Sequence, residues 1–186
     1  IASFSEKKGH IFTLQAFHTA LNDCPNMSLL LVGEIISPRI YQEARNYVVA
    51  HGLEDKVQWA GFAQHPEMPS ILAGIDVFIH PSCRASDGNT ECSPVAIIEA
   101  QAVGRPVIST RHADIPESVL DGVTGILTDE KDVEALSAAI RHFYHMENDV
   151  YQQFAHNARR HVADRFDVRA NAKHLREVYG FIHHRG

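Results

Sequence analysis

The chain has 186 residues, 45% of them hydrophobic, which is enough for one well-formed core and short for two independent ones. Its 17 basic and 23 acidic side chains give a formal charge of −6, the opposite of the basic footprint expected of a nucleic-acid binder. No apolar run approaches the roughly 18–20 residues of a membrane span, and no signal-peptide pattern opens the chain, so a soluble domain is expected.

Ile1-Ala2-Ser3-Phe4 reads as a strand already under way, without an initiator methionine, and suggests a fragment with a partner domain upstream. Gly9 to Asn22 carries Ile11, Leu14, Phe17, Ala20 and Leu21 near the helical period, which predicts an amphipathic helix on a sheet. Leu29-Leu30-Leu31-Val32 is continuously apolar, as a parallel strand covered on both faces should be. Ser37-Pro38 offers a cap and a first-turn proline for a helix ending near His51-Gly52. A short strand at Val57-Gln58-Trp59, a helix over Met68 to Ala73 and a strand at Val77-Phe78-Ile79 follow. After a polar loop from Arg84 to Thr90, Pro94 opens an apolar helix, then come strands at Val107 to Thr110 and Ile126-Leu127. From Asp132 onward the pattern is helical only, with segments Val133 to Met146, Val150 to Phe166 and Val168 to His183. Such alternation predicts an α/β fold, a Rossmann-like parallel sheet of about six strands with helices on both faces and a helical C-terminal end. Ala172, Leu175, Val178, Tyr179 and Ile182 form an apolar stripe on the last helix that needs a surface to lie against.

In open parallel sheets, ligands bind at the carboxyl ends of the strands. The loops expected to gather there are Ser3 to Gly9, Gly33 to Ser37, Gly61 to Pro66, Pro81 to Ser93 and Arg111 to Pro116. Glu91 and Glu99 flank the expected helix start, with seven residues between them. Glu99 lies among Val95, Ile97, Ile98, Ala100 and Ala102, where a charge is costly to bury unless it is paired. It grips a ligand or a fixed donor, or else marks a solvated helix face. Cys92, Ser93, Pro94 and Val95 form a helix N-terminus whose amides can face a diphosphate, although Ser-Pro helix starts are common in any α/β protein. In Glu6-Lys7-Lys8-Gly9 a lysine can reach a phosphate and Gly9 permits close backbone approach, or the run is a solvated charge cluster. Trp59 and Phe62, around Gly61, offer either a wall for a nucleotide base or core packing.

Three cysteines, Cys24, Cys83 and Cys92, without C-x-x-C spacing indicate neither disulfides nor zinc, and a reducing cytoplasm is the default. The 13 histidines fall mostly on the late helices without an H-E-x-x-H, so no metal is assigned.

Taken in order, Glu6-Lys7-Lys8-Gly9, Leu31-Val32-Gly33-Glu34, Gly61-Phe62, His80-Pro81-Ser82, Glu91 through Val107, Ile115-Pro116-Glu117 and Asp121 through Gly125 resemble the C-terminal donor-binding domain of the family-four retaining GT-B glycosyltransferases. The segments Arg84 to Glu91 and Asp114 to Glu117 look most like the exopolysaccharide-building members. The resemblance implies one half of a GT-B architecture, residues 1–186 forming the donor domain, with an N-terminal acceptor domain absent from this chain. It implies transfer of a hexosyl group from a UDP- or GDP-linked sugar to a saccharide or lipid-linked acceptor. The enzyme would need no cofactor or metal. It would be cytoplasmic, reaching the inner face of the membrane only through the other domain, and the isolated fragment would be inactive. By the same resemblance Glu91 touches the donor sugar, Lys8 neutralises the diphosphate, and Ser93 to Val95 hold the phosphates. Glu99 binds the ribose, while Gly33, Gly61 and Phe62 line the nucleotide.

Two departures stand out. Ser3 occupies the place of the family's usual arginine, and Cys92-Ser93 that of a glycine and an apolar residue. A non-catalytic nucleotide-binding or assembly module, needing only the phosphate cradle, is the alternative reading. A dinucleotide-dependent oxidoreductase is disfavoured because no G-x-G-x-x-G follows a strand.

Overall fold

The computed structural model describes residues 1–92 and 94–183, with backbone alone for His174, Val178 and residues 180–183. Its strands are β1 (Leu29–Val32), β2 (Val57–Gly61), β3 (Phe78–His80), β4 (Val107–Thr110) and β5 (Gly125–Thr128). Its helices are α1 (His10–Leu21), α2 (Pro38–Ala50), α3 (Met68–Ala73), α4 (Val95–Ala102), α5 (Ile115–Ser118), α6 (Val133–Tyr144), α7 (Asn148–Arg165) and α8 (Val168–His183). Every strand pair is parallel, in two ladders ordered β1-β2 and β3-β4-β5.

Among the described residues the strand count corrects the expected six or so to five, in two ladders instead of one sheet. Residues 2–4, expected as a strand, run extended past the end of β1: Ala2 N donates to Val32 O at 2.8 Å and Phe4 N to Glu34 O at 2.7 Å. This contact is too short and one-sided to make a ladder. A Cβ on Gly33 would lie 1.8 Å from the Ala2 carbonyl oxygen, so the crossing requires a glycine there. A cavity of about 930 Å³ is lined by β1, by residues 77–80 and by Ile1, Lys8 and His10.

Alternation along β4 explains the layers. Val107 and Ile108 point to opposite faces, as period two requires. Val107 packs with Phe78, Ile97, Ala100, Ile115 and Leu127, whereas Ile108 packs with Ala16 and Ala20 of α1 and with Leu136, Ala139, Ile140 and Phe143 of α6. All four residues of β4 are buried, in keeping with its central place. A third cluster places Phe4, Leu14, Phe17, Ala44 and Val48 against Leu29 and Leu31. Leu175 and Tyr179 on α8 are exposed, and the rest of the expected stripe at Val178 and Ile182 lies outside the described side chains. Among the described residues no helix is long and apolar enough to cross a membrane.

Candidate functional site

The carboxyl end of β3 and the start of α1 are locked together by backbone contact. Gly9 has φ +67°, and a Cβ there would sit 2.1 Å from the Pro81 carbonyl oxygen. Its freedom therefore serves packing against Pro81. This contact fixes the short 3₁₀ turn Glu6–Lys8 beside the loop that leaves β3.

That loop, residues 81–94, is held from two sides. On the first, Cys83 N donates to Lys7 O at 2.9 Å and Lys7 Nζ to Thr90 O at 3.4 Å. The Glu6 carboxylate accepts from Ser86 N at 2.7 Å and Ser86 Oγ at 2.8 Å, and the Ser86 hydrogen bonds hold its carboxyl below the ordinary range. Lys8 Nζ donates to the Glu91 carboxylate in an ion pair whose two side chains are each only 14% exposed. On the second side stand His112, in the loop after β4, and Glu130, after β5. Glu91 N donates to His112 Nε2 at 3.1 Å, His112 Nδ1 lies 2.6 Å from Glu130 Oε1, and Arg84 N donates to Glu130 Oε2 at 2.8 Å. Between these anchors a turn closes the loop on itself, with Gly88 N donating to Ala85 O at 3.0 Å and Ala85 N to Asn89 O at 2.9 Å.

Helix α4 begins at Val95, one residue later than the sequence suggests. Pro94 is its N-cap, in an extended conformation with φ −70° and ψ 110° and no side-chain cap. The ring fixes φ near its helical value but ψ is free, so the proline can enter the helix without joining it. Among the described residues no side chain caps this first turn, whose N–H groups carry the positive end of the helix dipole. Val95 is 64% exposed and Cys92 is exposed, while Ser93 lies outside the described residues. Further along α4, Glu99 Oε1 lies 3.5 Å from His65 Nδ1 with its side chain 28% exposed, so this acid is neither buried unpaired nor fully solvated.

Gly61 adopts φ +70° at the end of β2 with open space around it, and Phe62 beyond it is 69% exposed. Trp59 belongs to the core. Its ring centroid lies 5.8 Å from Phe4 and 5.4 Å from Tyr41, with the Arg45 guanidinium 4.9 Å above it. The structure thus brings Lys8 and Glu91 into direct contact. Of the expected site residues that the structure describes, only Lys8 lines the large cavity between the ladders; Glu91, Cys92, Pro94, Val95 and Glu99 do not.

Sequence reasoning missed His112, Glu130, Ser86 and His65. The loop Arg111 to Pro116 was expected at this edge, but His112 was one of 13 histidines and carried no motif of its own. His10 and His80 are buried at the same edge. Desolvation by burial lowers His10 to about 4 and His80 well below its ordinary value, so both rings are neutral.

The sequence family "Glycosyl transferases group 1" matches residues 1–161. A putative colanic acid biosynthesis glycosyltransferase, WcaL of Salmonella typhimurium, is 34% identical over 181 residues, covering 94% of this chain and 42% of that protein. The amylovoran biosynthesis glycosyltransferase AmsK of Erwinia amylovora is 33% identical over 152 residues, covering 81% of this chain and 36% of its own length. Anabaena HepE, solved in complex with UDP and glucose, superposes with a TM-score of 0.81 at 25% identity over 96% of this chain and 47% of that one. The C-terminal domain of a group 1 glycosyl transferase, LpcC of Francisella tularensis, shares the fold at a TM-score of 0.79 and 22% identity, covering 90% of this chain and 84% of that one. This chain therefore spans less than half the length of the WcaL and AmsK relatives. With the α/β fold of a GT-B C-terminal domain and a family match over most of its length, the chain belongs to the group 1 glycosyl transferases.

Proposed function

We propose that this chain is the donor-binding domain of a retaining glycosyltransferase of exopolysaccharide synthesis. It would transfer a hexosyl group from a UDP- or GDP-linked sugar to a saccharide or lipid-linked acceptor. The observation that carries this reading is the ion pair between Lys8 and Glu91, set just ahead of the start of α4. A diphosphate entering there takes over the ammonium of Lys8 and meets the first-turn amides of α4. Glu91, released from Lys8, turns its carboxylate to the hydroxyls of the donor sugar. As the glycosidic bond to the diphosphate breaks, charge grows on the leaving oxygen, where Lys8 and the helix dipole are already aimed.

No carboxylate in this reading serves as a nucleophile. The departing phosphate takes the acceptor proton, and attack on the same face gives retention. Glu99 binds the ribose hydroxyls, with Gly33, Gly61 and Phe62 along the nucleotide and Ser93 to Val95 at the phosphates. The acceptor binds on an N-terminal domain, in the cytoplasm or at the inner membrane face, and the donor needs no metal where protein groups neutralise it.

Calorimetric titration of UDP, GDP and ADP tests the reading. UDP or GDP should bind, and Glu99→Gln should weaken that nucleotide about tenfold, the equivalent of one lost hydrogen bond to a charged acceptor. Absence of binding by all three at millimolar concentration would reject the donor site.

A further inference from the structure

We propose that His112, held by Glu130, is a positioning residue that sets Glu91 for its partnership with Lys8 and thereby governs donor use. This rests on the function proposed above.

The His112 side chain is only 4% exposed, and both of its ring nitrogens are engaged. The amide of Glu91 can only donate, so Nε2, 3.1 Å away, presents its lone pair. The ring proton then sits on Nδ1 and is donated to Glu130 Oε1 at 2.6 Å. Two partners of opposite demand thus select one tautomer of a neutral imidazole. Burial pushes the Glu130 carboxyl up, but the Arg84 amide and the His112 ring outweigh it, and the group sits below the ordinary range as a carboxylate. Its other oxygen accepts from Arg84 N at 2.8 Å. One carboxylate therefore fixes the beginning of the loop directly and its end through the imidazole. The main chain of Glu91 is held by His112 while its side chain is held by Lys8.

The charged groups around the ring come from four segments. Glu130 and Lys131 lie on the β5 loop, Glu91 on the β3 loop and Lys8 before α1, while Arg111 and Asp114 flank His112 in its own loop. A second proton on the imidazole would occupy Nε2 and face the N–H of Glu91, donor against donor. The bond to Glu91 would then be lost while the bond to Glu130 strengthened.

The experiment compares wild type, His112→Leu and His112→Gln in the intact protein. Amide exchange over residues 84–91 is measured without ligand, and transfer kinetics are measured with a UDP-sugar. Leu removes the acceptor and should speed exchange at Glu91 about tenfold, the equivalent of one net hydrogen bond, with a similar fall in kcat/KM. Gln, whose Oε1 can accept the same N–H, should restore both. Unchanged exchange at Glu91 in His112→Leu would overturn the clamp. Unchanged kcat/KM in His112→Leu would overturn its role in donor use, as would equal impairment of the two variants in step with lost thermal stability. If wild type bound no nucleotide, the donor-site reading would fall and the role in donor use with it, and the exchange result would still decide the clamp.

Discussion

Glu91→Gln separates the two tasks given to this residue, because they respond with opposite signs. In the ligand-free protein Glu91 neutralises Lys8, with each side chain 14% exposed and so only weakly screened. Gln keeps the length and one acceptor oxygen but turns a charge-assisted hydrogen bond into an ordinary one, a loss of about 1–2 kcal/mol. Urea unfolding should therefore show destabilisation of about that size. The same change removes the carboxylate that a diphosphate must displace from Lys8. UDP without its sugar should then bind more tightly by up to about 5–30-fold, the equivalent of 1–2 kcal/mol. Sugar transfer should fall at least about tenfold, since Gln offers the donor hydroxyls a neutral acceptor in place of a charged one. Unchanged unfolding together with unchanged or weaker UDP binding would refute the idea that Glu91 and the diphosphate compete for Lys8. Full transfer activity in the variant would remove Glu91 from the donor-sugar site.

Gly9→Ala should cost about 3 kcal/mol or more in thermal or urea unfolding, combining left-handed strain with displacement of backbone. Its Cβ would meet the Pro81 carbonyl oxygen at 2.1 Å. Gly52→Ala is the control: φ is +62° but nothing lies within 4 Å, so only the strain of about 1 kcal/mol should appear. Equal losses would show that the contact with Pro81 carries nothing. Acid stability is set in part by His10, which burial lowers to about 4. Its folded pKa lies below the unfolded value of roughly 6.5, so the unfolded chain takes up the proton first as pH falls. Stability should therefore decline by about 3 kcal/mol between about pH 6.5 and pH 4 and then level off. Urea midpoints across that range should show the decline, and His10→Phe should flatten it in part, His80 supplying the remainder. A His10→Phe profile identical to wild type would remove His10 from this account.

The fold was legible where periodicity was strong. The continuous run Leu29 to Val32 and the stripe of α1 gave correct elements because both owe their pattern to burial against a layer. Residues 1–4 were misjudged as a full strand because an apolar extended segment has the same composition whether it forms a ladder or crosses the end of β1 with alternate hydrogen bonds. Trp59 was ambiguous in sequence for a similar reason. An aromatic ring beside a glycine fits a base wall or a core equally, and only the three-dimensional neighbours Phe4, Tyr41 and Arg45 decide for the core. The site was legible in Lys8 and Glu91, which motifs mark, and illegible in His112 and Glu130. Those two are separated by 17 residues in the chain and meet only because β4 and β5 are adjacent parallel strands ending at one edge.

In the proposed donor site Ser3 stands where the resemblance would place an arginine. Several cations near this edge are committed: Arg39 to Glu6 and Glu43, Arg111 to Asp121 and Asp129, and Lys7 to the Thr90 carbonyl. Lys8 is then the cation that the proposed site offers the phosphates, together with the partial charge of about one half at the start of α4. A single ammonium is effective only if it is placed accurately and surrenders its resting partner readily. In the proposed reading, holding Glu91 by its main chain through His112 meets both conditions. The backbone would stay where it is while the side chain exchanged Lys8 for the sugar, so that donor entry rearranged two side chains and no loop.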